Sequence, residues 1–345
     1  MCLIKLRNET EERMKGINIK THDPAYNLAV EEVFFNSLSE VGEEYFLLWQ
    51  NSPSIIVGRH QNTAEEVNEQ YVKEHHIPVV RRTTGGGAVF HDLGNLNFSF
   101  LRYMDKGEDT SFSRYINPII QALRSIGINA EMSGRNDMLV DGKKFSGNAQ
   151  KKSGRKILQH GTILVALDTS NLTDMLTGNP DKYQSKGVAS HKSRVVNLIE
   201  FMPDLTPAEL MEKIRNVLMR FLVDEEIELP QGLAEKAEQL ADEKYRTWEW
   251  NFGKSPTFQV KLRKRFSFGA VDFYADIKNG KIEHCRFYGD FFADKDVAGL
   301  EEALKDTLFR KQDVLNVLEQ AGAAEYFIGA KQEDLMEFFA QSILE

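Results

Sequence analysis

Helical and strand signals alternate along residues 20–222, then sort past about residue 246 into strands first and helices afterwards. An interleaved chain builds an α/β layer structure on a mixed sheet, whereas strands followed by helices build a separate α+β unit. The expected division is therefore a larger α/β domain over 1–246 and a small C-terminal α+β domain over 247–345.

The helix starts are explicit. Asp23-Pro24 ahead of AYNLAVEEVFFNSL supplies an N-cap aspartate and a first-turn proline. Asn62-Thr63-Ala64-Glu65 has the cap-x-x-Glu spacing and predicts a helix running to about His75. Ile116, Ile119, Ile120, Leu123 and Ile126 share one face of a helix that Gly127 ends. Thr206-Pro207-Ala208-Glu209 is a capping box, followed by Leu210, Ile214, Val217, Leu218 and Phe221 on one face.

Strand signals lie between them. Ile55–Val57 and Pro78–Arg82 are short β-branched runs, and Leu96, Phe98 and Phe100 alternate with Asn95, Asn97 and Ser99. Met138–Val140 and Lys143–Ser146 flank Asp141-Gly142, a two-residue hairpin turn, and Thr162–Leu167 reads as a buried strand. Thr257–Arg265, Ala270–Ile277 and Lys281–Tyr288 are consecutive alternating strands, with Gly269 and Asn279-Gly280 between them. Helical segments follow near Glu301–Leu308, Asp313–Gln320 and Gln332–Leu344.

Composition narrows the function classes. Against 43 basic residues stand 52 acidic ones, a net charge of −9, which repels phosphate backbones and predicts no nucleic-acid partner. The longest apolar runs, Tyr45–Trp49 and Ile163–Leu167, fall far short of the about 18–20 residues of a membrane span, so no membrane partner is expected. The N-terminal MCLIKLRNETEERMKG lacks a signal-peptide pattern, and a cytoplasmic location is expected. Cys2 and Cys285 are too few for a disulfide framework, and no Cys/His metal spacing occurs.

Chemistry concentrates in four segments. In Arg81-Arg82-Thr83-Thr84-Gly85-Gly86-Gly87-Ala88-Val89-Phe90-His91-Asp92, three glycines after a strand let backbone N–H groups face an anion. The two arginines can add charge-assisted bonds to phosphate or carboxylate. It is neither G-x-x-x-x-G-K-[ST] nor G-x-G-x-x-G, and a tight loop with solvated arginines explains a lone Gly-Gly-Gly equally well. Next, Gly134-Arg135-Asn136-Asp137 leads through the Asp-Gly turn to Lys144, Ser146, Gly147 and Asn148. Alternation predicts Lys144, Ser146 and Asn148 on one face and Phe145 on the other. A lysine there can stabilise charge developing on a phosphoryl or carbonyl oxygen, and Asp137 is suited to Mg²⁺. Without the glycine loop, a polar exposed hairpin is the simpler reading. His160-Gly161-Thr162 follows, where a lone histidine is more often a satisfied core residue than a catalyst. The fourth segment, Ser185 to Leu198, is a Lys/Ser/Arg-rich loop that suits a lid over a nucleotide or, taken alone, a basic surface.

Together these segments resemble the lipoate–protein ligase family. Its pattern is matched at Arg81–Asp92, Gly134–Asp137, Lys144–Ala149, His160–Thr162 and Lys186–Leu198, in order, over nearly the whole length. Trp49, Pro53, Gly58–Asn62 and Trp248–Gly253 are also similar to family segments. The resemblance implies a mixed-sheet catalytic domain of the biotin ligase and class II synthetase fold, followed by an accessory domain. It implies that lipoate and ATP give lipoyl-AMP and pyrophosphate, after which a lysine of an apo lipoyl domain takes the acyl group. The implied acceptors are 2-oxoacid dehydrogenase E2 subunits and the glycine-cleavage carrier protein.

Carried over by position, the resemblance implies that Lys144 would be the catalytic residue, meeting the lipoyl carbonyl and α-phosphate. Arg82, Gly85, Gly86, Gly87, Ala88, Val89, Phe90, His91, Asn136, Asp137, Ser146, Gly147, His160 and Gly161 would line the ATP and lipoyl-adenylate site. Lys186, Gly187, Ser190 and Arg194 would complete it from the adenylate-binding loop. Asp137 would hold Mg. Thr84 stands where serine is common and keeps the hydroxyl; His191 replaces a small apolar residue.

The chemistry requires no side-chain nucleophile, because the adenylate is itself activated. A transferase working through a cysteine thioester is disfavoured, since neither cysteine lies in the matched motifs. A biotin ligase-repressor would need a helix-turn-helix domain ahead of the first helix, where only residues 1–22 stand. The remaining alternatives are a cysteine-independent octanoyl or lipoyl transferase and a non-catalytic lipoate-binding paralogue.

Overall fold

The computed structural model describes residues 14–170, 172–176, 195–252 and 260–343. The chain divides into two compact units, one built from 1–54, 91–169 and 181–243 and the other from 55–90, 170–180 and 244–345. Segment 55–90 thus falls with the C-terminal residues, although the sequence pattern changes only near residue 246.

The described strands begin with β1 (Met14–Asn18), β2 (Glu44–Trp49), β3 (Ser54–Val57), β4 (Val79–Arg81) and β5 (Val89–His91). They continue with β6 (Asn95–Tyr103), β7 (Ala130–Ser133), β8 (Asp137–Val140), β9 (Lys143–Ser153), β10 (Lys156–Leu164) and β11 (Glu225–Glu226). The last three are β12 (Val260–Phe266), β13 (Gly269–Lys278) and β14 (Lys281–Gly289).

In the first unit eight strands run in the order β11-β1-β2-β6-β10-β9-β8-β7. β1 lies parallel to β2 and β11, while β2–β6, β6–β10, β10–β9, β9–β8 and β8–β7 are antiparallel, giving the mixed sheet expected. The helix Pro24–Ser37 starts where Asp23 accepts from Ala25 N at 2.8 Å and Tyr26 N at 3.3 Å. Its buried residues include Leu28, Val30, Phe34 and Phe35, but also Asn27 and Glu31. A polar side chain buried there must find partners or cost stability. This helix touches β6 and β10, which places Glu31 over the sheet. The helix Pro207–Leu222 carries the capping box read from Thr206 and Glu209.

In the second unit β3 pairs parallel with β4 in a sheet ordered β4-β3-β5. The single helix expected after Asn62 is two, Thr63–Glu66 and Glu69–Glu74. The break is local: Val67 is extended, and Asn68 caps the second helix by accepting from Tyr71 N at 3.2 Å. β12, β13 and β14 form an antiparallel meander whose Asn279-Gly280 turn has both φ values positive. The helices Ala298–Leu304, Lys311–Gln320 and Gln332–Ser342 share a core with it, including Phe273, Phe287, Leu300, Val314, Phe327 and Phe339. Each such buried apolar side chain contributes about 1.5–3 kcal/mol. The helix Gln231–Leu240 carries no sequence signal in our reading.

Candidate active site

In the first unit the Asp141-Gly142 turn has φ of 48° and 73°, the pair of positive values a two-residue hairpin favours. The returning strand departs from simple alternation. Met138 pairs with Ser146 but Leu139 with Lys144, so Phe145 is the extra residue of a bulge. Phe145 and Ser146 are consequently both buried. Lys144 does not share a face with Ser146 and Asn148; a Cβ built on Gly147 would stand 3.3 Å from its Nζ.

Lys144 Nζ lies 2.7 Å from Asp137 Oδ1, and both side chains are about one-third exposed, at 38% and 34%. A pair this wet contributes only about 0.2–1 kcal/mol, so the ammonium can exchange its carboxylate for another anion at little cost. Its backbone is held more firmly. Lys144 bridges Val195 in parallel, and its carbonyl accepts from Val196 N at 2.9 Å. Lys186, Gly187, Ser190, His191 and Arg194 lie outside the described residues.

The strand start is clamped across the hairpin. Asn136 Nδ2 donates to Asn148 O at 2.6 Å and Asn148 N returns a bond to Asn136 O at 3.0 Å. Gly147 N donates to Thr162 Oγ1 at 3.3 Å. Gly161 is glycine for packing, since a Cβ would meet Phe98 Cζ and Asn148 Oδ1 each at 2.4 Å. His160 is buried, with Nδ1 2.9 Å and 3.0 Å from the two Glu31 carboxylate oxygens. Ser99 Oγ donates to Glu31 Oε1 at 2.5 Å and accepts from Trp49 Nε1 at 2.8 Å. His91, also buried, has Nδ1 3.2 Å from Asn51 Nδ2.

The glycine loop belongs to the second unit. Arg82 N donates to Val57 O at 3.0 Å and Arg59 N to Thr84 O at 2.8 Å, tying the loop to the end of β3. The Arg82 guanidinium is buried, and its donors turn inward. They reach Thr84 Oγ1, Ile56 O, Gly85 O and Gly87 O at 2.7–3.1 Å. Arg81 is 1% exposed, and its guanidinium donates to the carbonyls of Gly58, Arg59, Gln61, Trp250 and Asn251. Burial, with the Arg59 charge adding to it, lowers the Arg81 pKa to about 10, so it stays charged at neutral pH. Neither arginine is the solvated cation of the simple loop reading.

The three glycines differ. Gly86 has φ +93°, a left-handed value that favours glycine, and a Cβ on Gly58 would strike its carbonyl oxygen at 1.9 Å. A Cβ on Gly85 would stand 2.3 Å from Phe291 O, whereas one on Gly87 meets nothing within 4 Å. The open side of the loop is therefore at Gly87, continuing through half-buried Ala88 and exposed Val89 to buried Phe90.

Two family descriptions match this chain: "Lipoyl protein ligase A/B catalytic domain" over residues 23–219 and "Bacterial lipoate protein ligase C-terminus" over 255–339. The chain belongs to the lipoate–protein ligase family. It is 40% identical over 327 residues to lipoate-protein ligase LplJ of Bacillus subtilis, covering 93% of this chain and 98% of that protein. It is 41% identical to lipoate–protein ligase 1 of Staphylococcus aureus over 321 residues, 92% of this chain and 97% of that one. Among solved structures, LipL1 of P. falciparum in complex with lipoate superposes with a TM-score of 0.74 at 26% identity, covering 95% and 99% of the chains. A lipoate-protein ligase A bound with ATP gives 0.59 at 29% identity, covering 70% of this chain and 99% of that one.

For this ligase, the family pattern singled out His160 but not the buried partners Glu31 and Ser99; Glu31 is a charge in a largely apolar helix, and Ser99 is one of the polar positions that alternate with Leu96, Phe98 and Phe100. No helix among the described residues is long and apolar enough to cross a membrane. Nor, among them, do three or more His, Cys, Asp or Glu side chains gather where they could hold a metal ion. Magnesium commonly keeps its waters and takes one or two carboxylates plus substrate phosphates, and that single-carboxylate role fits Asp137.

Proposed function

We propose that this ligase joins free lipoate to a specific lysine of apo lipoyl domains in two steps. In the first, a lipoate carboxylate oxygen attacks the α-phosphorus of ATP and the bond to pyrophosphate breaks, leaving lipoyl-AMP. In the second, the uncharged amine of the acceptor lysine attacks the acyl carbon, AMP departs with the bonding pair, and the amide nitrogen loses its proton. The observation that carries this reading is the partly exposed Lys144 ammonium, paired with Asp137 among the described residues, in a family whose reaction brings anions together. Lys144 exchanges Asp137 for the α-phosphate and acyl oxygens, neutralising charge as it develops. The glycine loop presents Gly87 to Phe90, with His91, to the nucleotide. Arg82 acts through that loop, because its own donors already hold Thr84, Gly85 and Gly87.

Asn136, Ser146, Gly147, His160 and Gly161 line the ATP and lipoyl-adenylate site, and Lys186, Gly187, Ser190 and Arg194 supply the adenylate-binding loop. Bound magnesium would supply charge neutralisation on the phosphates, and Asp137 would be the side chain that holds it. The lipoate in the P. falciparum structure and the ATP in the ligase A structure support these substrates. A bi-partite lipoate protein ligase and its E2 lipoyl domain from Thermoplasma acidophilum, 31% identical with a TM-score of 0.62, supports the acceptor class. The acceptors are E2 subunits of 2-oxoacid dehydrogenases and the glycine-cleavage carrier protein, in the cytoplasm. Residues 1–246 serve as the catalytic region and 247–345 as the accessory region; the separate family matches over 23–219 and 255–339 support this reading.

The test is AMP release and acceptor mass with lipoate, ATP, magnesium and an apo lipoyl domain. Lys144→Ala is expected to slow lipoylation by at least about a hundredfold without changing the fold. Lipoylation no slower in that variant overturns the role of this lysine.

A further inference from the structure

The glycine loop is gripped on two sides. From within, Arg82 Nη2 donates to Gly85 O and Gly87 O at 2.7 and 2.9 Å. From the other side comes a segment about two hundred positions away in sequence, Asp290–Phe292, which follows β14 in the same compact unit. The Phe291 carbonyl fills the notch where Gly85 lacks a side chain, and Gly86 N points to it at 3.4 Å. The Phe292 ring stands 3.5 Å from where a Gly86 Cβ would be.

That segment is fixed from behind. Phe291 is fully buried, edge-on to Phe327 at 4.7 Å and stacked on His60 at 4.9 Å with the planes 17° apart. Gly289 N donates to His60 O at 2.8 Å, and Phe292 O accepts from Ile328 N at 2.8 Å. A run of three glycines has more backbone freedom than any other triplet, so it keeps one shape only where its surroundings impose it.

We propose that Phe291 and Phe292 are positioning residues for the glycine loop, holding it in the shape that presents Gly87 to the nucleotide. This rests on reading the loop as nucleotide-binding. Gly85 then serves the joint with residues 290–292, Gly86 the left-handed bend, and Gly87 alone the ligand. By linkage, whatever binds at Gly87 must also steady 290–292.

The test uses hydrogen exchange on the full chain together with ATP kinetics. Phe292→Ala is expected to speed exchange of peptides covering 84–88 by about tenfold, leaving β6 unaltered. The KM for ATP should rise at least about fivefold with kcat little changed, and Phe292→Leu should restore most of both. His60→Ala, which removes the stacking ring from the loop side and leaves the accessory core intact, should act in the same direction if Phe292→Ala fails to fold. Exchange at 84–88 unchanged in the folded variant overturns the proposal, and so does faster exchange with an unchanged KM. Either result leaves the two-step ligation standing; a wild-type protein that releases no AMP when given lipoate, ATP, magnesium and an apo lipoyl domain would remove that reading instead.

Discussion

Ser99 and His160 face each other as register partners on β6 and β10, and both turn to the same buried carboxylate, Glu31. Trp49 extends the chain through Ser99, so four side chains from three strands and one helix satisfy one another inside the first unit. Ser99→Ala leaves the Trp49 N–H and a Glu31 oxygen short of a bond, at about 1–3 kcal/mol. Glu31→Ala removes the hub and should cost more than Ser99→Ala. Urea unfolding of both variants checks the order, and a Glu31→Ala protein as stable as wild type would show that the chain carries no net stability.

Arg81 gives a second stability prediction. Arg81→Met leaves the carbonyls of Gly58, Gln61, Trp250 and Asn251 facing an apolar side chain in a dry site. The expected loss is at least about 3 kcal/mol, well above that of an exposed arginine such as Arg310. A change of less than 1 kcal/mol in urea unfolding, roughly the size of a surface substitution, would show water replacing the guanidinium.

These networks mark where sequence reading stops. Asp23-Pro24, the Thr206–Glu209 box and Asp141-Gly142 were legible because each cap or turn is written within four residues. The bulge at Phe145 was not, since it depends on how β8 pairs rather than on β9 alone. Arg82 was legible as a cation beside glycines, but its partners depend on the loop folding back on itself and on β3. For Gly85 the deciding neighbour is Phe291, which no local pattern could indicate. His160 was legible as a possible core histidine or ligand-site residue; that it meets Glu31 follows only from the helix lying on β6 and β10.

Glu65 supplies a pH dependence. Burial tends to raise its pKa, but hydrogen bonds from Tyr274 and Lys261 and the Arg263 charge together hold it below the ordinary value. A carboxyl lowered in the folded state stabilises above its unfolded pKa of about 4.3 and loses that contribution as pH falls through the folded value. Wild type should therefore be more stable than Glu65→Gln at pH 7 by about 1 kcal/mol or less, since the group is partly exposed. Chemical denaturation should show that gap closing below about pH 4; a constant gap from pH 7 to pH 3 would deny the coupling.

Cys285 separates adenylate chemistry from thioester chemistry. Its thiol is 4% exposed, donates to Glu301 O at 3.4 Å, and is pushed up to about 12 by burial and by the Glu301 charge. The thiolate is the nucleophile, and almost none forms at neutral pH. Iodoacetamide at pH 8 should leave Cys285 unmodified by peptide mass analysis, and Cys285→Ala should retain at least about half the ligation rate. Loss of acyl transfer in a folded Cys285→Ala protein would restore a covalent thioester route.

The glycine loop yields the sharpest contrast because its members differ in what a side chain would meet. At Gly86, valine faces a φ of +93° and Arg82 Nη2 2.9 Å from its Cβ, a local strain of about 1–3 kcal/mol. Gly86→Val should abolish AMP release while the far-ultraviolet dichroism stays that of wild type. At Gly87 a methyl group meets nothing within 4 Å in the protein, so Gly87→Ala should alter stability by no more than about 0.5 kcal/mol. Any loss it causes must then come from the ligand, and the KM for ATP should rise at unchanged melting temperature. Normal ATP kinetics in Gly87→Ala together with full turnover in Gly86→Val would mean that this backbone does not approach the nucleotide.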